Sequence, residues 1–213
     1  MAISTYAEVV TAIQSYMMER SDLSTNAPEF ITLGEGVVNY GFQGDVINIP
    51  ALRVRDMETK TSLAPTSNVC TIPSDFLEYK RVVEEASTRR PLKYITEDGA
   101  DELYPSRASG LSNHFMIIAS TLTALPLSSN NIELTYYARV PALTASATTN
   151  WLLTKHPGIY LRASLFMAAE YIKDTEEMLK QGSMLAGLVK GFNNADNMAK
   201  FGNAGITLTG IVW

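Results

Sequence analysis

Two histidines, His114 and His156, and a single cysteine, Cys70, are the side chains of this sequence best suited to nucleophilic, acid–base or metal chemistry. The histidines are not at ligand spacing from each other, and no HExxH motif contains them. His156 precedes Pro157 at a helix start, where a capping or surface histidine is the plain reading. As a general base it has no evident nucleophile beside it. One cysteine rules out an internal disulfide and a cysteine-rich zinc site. Set between Val69 and Thr71 in a strand-like run, Cys70 reads as a small buried hydrophobe. The run EDGADE at 97–102 gathers four carboxylates but lacks the ligand pattern of a calcium loop. It reads as a helix start, where acids are favoured by the macrodipole. GEGVVN at 34–39 has Asn39 where a dinucleotide fingerprint needs its third glycine, and it follows a helical stripe rather than a strand. GxxxxGK[ST] and GxSxG are missing from the sequence. The expectation is therefore no catalytic residue, no metal and no cofactor.

Composition narrows the classes further. Hydrophobic residues make up 46% of the 213, enough to build a real core. The net charge of -5 argues against a tight grip on nucleic acid, which needs a basic face. The start MAISTYAEVV has neither a basic nor an apolar leader region, and no window offers the roughly 18 apolar residues of a membrane span. A soluble protein made in a reducing cytoplasm is expected.

The elements that would carry these residues can be placed by periodicity. Thr5 and Glu8 have capping-box spacing, and Tyr6, Val9, Val10, Ile13 and Met17 line one helical face, predicting a helix over 5–19. A second helix starts at Asn26, with Pro28 in its first turn and Phe30, Leu33 and Val37 as its stripe. Gly34, Gly36 and Gly41 weaken its far end, and residues 41–52 read as an irregular loop or short extended piece. Residues 56–141 alternate and are β-rich, with HFMIIAS and IELTYYARV as two strands joined by a link holding Pro126. From Asn150 helical spacing returns in Leu161, Leu165, Ala168, Ala169 and Ile172. KDTEEM interrupts it, and a further helix carries Met178, Leu185, Val189, Phe192, Ala195 and Ala199. The expected fold is α+β. A mainly helical bundle forms from 1–55 and 142–202, 56–141 is a β-rich central insertion, and 203–213 is an extended tail. Ile206, Leu208, Ile211, Val212 and Trp213 give that tail an apolar character suited either to folding back or to docking on a partner. The arginine pairs Arg53/Arg55 and Arg89/Arg90 read as solvent or subunit-interface salt-bridge residues rather than phosphate readers.

Several stretches together carry a resemblance. TYAEVVTAIQSYMMERSDL, PEFITLGE, RVRDMETKTSL, IPSDFLEYKRV, RPLKYIT and LTYYARVPALTASATTNWLLTKHPGIYLRASLFMAAEYIKD follow one another as in the head-to-tail adaptor (connector) proteins of tailed bacteriophages. LTYYARVPAL and NWLLTKHPGIYL are its most specific parts. Residues 41–52 depart from the pattern, since similar proteins run from the second helix almost directly into RVRDME. The resemblance implies a non-enzymatic virion protein of the head–tail neck, assembled in the host cytoplasm. It implies a ring, typically of twelve subunits, bound beneath the portal protein and above a downstream tail or nozzle protein. Double-stranded DNA would pass through without sequence-specific binding, and the C-terminal segment, Ile206 to Trp213, would dock on the portal. Another neck or tail-tube component is the nearest alternative, and a small enzyme centred on His156 the remote one.

Overall fold

The computed structural model describes residues 3–17 and 25–201, which form an α+β chain of two compact units. Residues 57–139 make one unit, and the described residues on either side of that segment make the other. The expected apolar tail, Ile206 to Trp213, lies outside the described residues, as does the predicted end of the first helix beyond Met17.

In the helical unit, α1 (Tyr6–Tyr16) opens with the capping box expected from its sequence. The Glu8 N–H reaches the Thr5 hydroxyl, and the Glu8 carboxylate accepts from the Thr5 N–H at 2.9 Å. α2 (Ala27–Tyr40) runs straight through Gly34 and Gly36, contrary to the weakening expected there. A Cβ added at Gly34 would lie 3.0 Å from the backbone of Ala163, so its missing side chain is a packing feature. Gly41, at φ 80°, ends the helix. The following residues form a small hairpin of β1 (Phe42–Gln43) and β2 (Asn48–Ile49) rather than an irregular loop. Ile49 and Leu52 are buried, so the segment that departs from the adaptor pattern belongs to the core of this unit.

α4 (Trp151–Lys155) is a single short helix capped by Asn150, whose side-chain oxygen accepts from the Leu153 N–H at 2.9 Å. Leu152 and Leu153 are buried at this entrance, while Trp151 is half-buried. α5 (Pro157–Tyr171) begins on Pro157, which needs no N–H partner. The break that follows is Ile172–Asp174, with Lys173 in the left-handed region at φ 58°. TEEM already belongs to α6 (Thr175–Phe201). α5 is the centre of the unit, packing against α1, α2, α4 and α6. Leu185 and Val189 of α6 are buried as expected, whereas Ala195 and Ala199 face solvent.

The other unit holds two four-stranded sheets. The first runs β3 (Glu58–Leu63), β10 (Ile132–Ala138), β5 (Phe76–Glu84), β6 (Arg90–Pro91), all antiparallel. The second runs β4 (Cys70–Thr71), β9 (Thr121–Leu125), β8 (His114–Ile118), β7 (Lys93–Tyr94), with only the last pair parallel. The short helix α3 (Glu97–Leu103) is capped by Thr96 and begins with the acids of EDGADE. Leu63, Val82, Ile132, Leu134 and Tyr136 from the first sheet meet Cys70, Phe115, Leu122 and Ala124 from the second in one core. β9 is a strand where the sequence reading placed only a link. Its hairpin with β8 turns on Ala119, a non-glycine residue at φ 51° that gives no turn signal.

Candidate functional site

The residues capable of chemistry are used for packing. His156 closes α4 and opens α5, and its ring lies 3.8 Å from that of Phe192 on α6. Burial pushes its pKa below the ordinary histidine value; Asp56 opposes this and Lys155 adds to it. The ring therefore favours the neutral form that suits an aromatic contact. His114 Nδ1, at the start of β8, lies 2.7 Å from the Tyr104 hydroxyl. Cys70 is buried, and burial raises its thiol pKa, opposite to what a nucleophile needs. Among the described residues no group of three or more His, Cys, Asp or Glu side chains could hold a metal ion. Among them, too, no helix is long and apolar enough to cross a membrane.

The four arginines have partners within the chain. Arg53 donates from its guanidinium to the Asn39 and Leu52 carbonyls, at 3.0 and 2.7 Å. The first of these carbonyls belongs to the last turn of α2, where a cation is favoured. Arg55 pairs with Asp196 of α6 at 2.7 Å. Arg89 pairs with Glu133, which Lys60 also reaches at 2.6 Å. Lys60 and then Arg89 hold that carboxyl below the usual carboxylate range against the effect of burial. Arg90 donates to Asn113 at 2.9 Å. Arg55 and Arg89 nevertheless keep more than half of their side chains in solvent, at 58% and 52%.

A polar clamp missed at the sequence level holds the link 140–150. Glu35 and Asn39 lie one turn apart on the buried side of α2. Asn39 accepts from the Val140 N–H at 3.0 Å, and Glu35 from the Leu143 N–H at 2.7 Å. Glu35 also accepts from the Tyr160 hydroxyl of α5 at 2.8 Å, and that hydroxyl accepts from Asn150 at 2.6 Å. The chain returning from β10 is thus fixed by one helix face at two backbone points. A sequence signal existed, since Glu35 and Asn39 interrupt a stripe that is otherwise apolar.

Burial pushes the Glu35 pKa up from its ordinary 4.5, and the bonds from Leu143 and Tyr160 only partly offset this. The folded state therefore holds this proton more tightly than the unfolded chain. Its contribution is full below pH 4.5 and declines as pH rises through the folded-state value. Glu35→Gln keeps an oxygen for both donors and removes the titration. Urea melts over a pH series are expected to show that decline in the parent and its loss in the variant. An unchanged slope would contradict this account of the clamp.

The surfaces available to partners are apolar in places. Leu33, Tyr171, Met184, Leu188 and Met198 are exposed on the helical unit, and Tyr94, Leu103, Leu111 and Ile118 on the β unit. A cleft of about 290 Å³ lies between α2 and α5, lined by Glu29, Phe30, Leu33, Met167, Glu170 and Tyr171. Open, shallow and without a convergent set of polar groups, it suits a side chain of a partner better than a small molecule.

No curated protein matches the sequence. The profile of the SU10 adaptor protein family matches it over residues 4–205, which takes in both units. On the strength of that match the chain belongs to the SU10 adaptor protein family, a family of phage head-to-tail adaptors.

Proposed function

We propose that the protein forms the adaptor ring that joins the portal of a phage head to its tail and surrounds part of the DNA channel. The family match across residues 4–205 carries this reading. The way the described histidines and cysteine are used in packing supports a structural role over an enzymatic one. The terminal helices form the bundle from which neighbouring subunits are built side by side. The ring contains typically twelve copies, as the adaptor resemblance implies. The β unit faces the downstream tail or nozzle protein. Arg53, Arg55, Arg89 and Arg90 remain candidates for subunit contacts, and Arg55 and Arg89 have the exposure to reach a neighbour. The acidic balance of the chain suits a conduit, because a negative lumen repels phosphates and lets DNA slide.

The segment Ile206, Leu208, Ile211, Val212 and Trp213 docks on the portal, with Trp213 as the anchor. Phage producing a chain that ends at residue 202 are expected to yield filled heads and free tails that do not join. Electron microscopy of the particles counts both. Normal joining by the shortened chain would remove the docking role from the tail.

A further inference from the structure

The helical unit carries two outward faces of opposite character, on opposite sides of α5. Tyr160, Ser164 and Tyr171 of α5 meet Glu35, Gly34 and Phe30 of α2. Gly158, Arg162 and Phe166 meet Leu188, Gln181 and Gly182 of α6. At 3.6 residues per turn these two sets point in opposite directions, so α2 and α6 flank α5. The outer side of α2 holds exposed Leu33 beside the cleft toward Tyr171. On α6, Met184 and Leu188 are exposed one turn apart, Leu188 at the edge beside Gly158 of α5.

Charge separates the two faces. Glu29 and Glu170 rim the cleft, and α2 carries no basic residue. Between Glu177 and Asp196, α6 carries Lys180 and Lys190 and no acidic residue. Lys180 pairs with Glu177 at the surface, 3.1 Å away, a pair too exposed to compete strongly with a new partner.

We infer that the occupant of each face is the other face of a second copy of this chain. Met184 of one copy enters the cleft between Leu33 and Tyr171 of the next, with Lys180 and Lys190 toward Glu29 and Glu170. Contact between two different faces on opposite sides of one subunit is heterologous, and it generates a closed ring when the rotation closes. The inference deepens the ring reading above and rests on it.

The test uses whole phage particles, in which the ring is first imaged by cryo-EM. In particles carrying Leu33→Cys together with Met184→Cys, mild oxidation is expected to give a ladder of covalent oligomers on a non-reducing gel. Either substitution alone gives monomer, and Cys70 is buried and does not interfere. The two sites lie on opposite sides of α5, so a bridge within one chain does not compete. Lys180→Glu with Lys190→Glu is expected to lower the yield of tailed particles about a hundredfold, because like charges then face each other. Glu29→Lys with Glu170→Lys does the same. Supplying both altered chains together restores the yield, since each acidic face then finds a basic one. A ring without a ladder, unchanged yields, or a loss that co-supply fails to rescue overturns the pairing of faces and leaves the ring standing. Particles that lack a ring of this protein overturn both.

Discussion

Gly34→Val is expected to destabilise the helical unit by about 3 kcal/mol, the upper end of the usual cost of overpacking. A Cβ added at Gly34 would lie 3.0 Å from the Ala163 carbonyl carbon, 3.1 Å from the Ser164 nitrogen and 3.2 Å from the Ala163 Cβ. Two of these are backbone atoms inside a helix, so rotamer changes cannot relieve the overlap and α2 must move off α5. That displacement also pulls Glu35 away from Tyr160, since the two positions are adjacent on α2. A loss of this size is a large share of the stability of an ordinary domain. The control lies two residues along the same helix. A Cβ at Gly36 meets nothing within 4 Å, so Gly36→Ala should stabilise by roughly 0.5–1 kcal/mol through helix propensity alone. Urea denaturation followed by far-UV circular dichroism reads both. If the two variants moved stability in the same direction, the tight crossing at Gly34 would not be the reason this helix carries glycine.

The contrast between these glycines marks the limit of what the sequence made legible. Thr5 and Glu8 announced α1 because a capping box is local, closed by residues three apart. Asn150 and Pro157 announced α4 and α5 for the same reason. Gly34 and Gly36 look alike in sequence, and only the path of α5, some 130 positions later, makes one a contact and the other open surface. The clamp by Glu35 and Asn39 was hidden in the same way, its backbone partners lying 108 and 101 residues away. β9 was lost to a different cause. Its run TLTAL is short, and the turn before it uses Ala119 in a conformation that alanine rarely adopts. Of the four arginines read as solvent or subunit-interface residues, Arg55 and Arg89 meet acids of their own chain, Asp196 and Glu133, which spacing could not name. Family membership was legible throughout because it draws on the order of many short stretches at once.

Phe166→Ala is expected to cost about 3–5 kcal/mol, the range for truncating a large aromatic in a core. Phe166 is fully buried, and its ring fills the space left by Gly182 of α6, where an added Cβ would lie 3.1 Å from the ring. The same point would be 2.8 Å from Ile47 Cδ1 of the hairpin, and Phe42 meets the ring edge-on at 5.2 Å. Phe166 is therefore the piece on which α5, α6 and the 41–52 hairpin converge. Gly182 has no side chain with which to fill the hole, so the cavity term adds to the lost burial. Phe166→Leu keeps most of the volume and should cost about 1.5 kcal/mol or less. The consequence extends to assembly, because Met184 and Leu188 follow Gly182 within two turns of α6. Loosening α6 on α5 should weaken the cysteine ladder between copies along with thermal stability, while the buried Cys70 of the β unit stays protected from thiol reagents. A Phe166→Ala protein that lost less than about 1 kcal/mol would mean that this core repacks freely, and the face presented by α6 would then need another support.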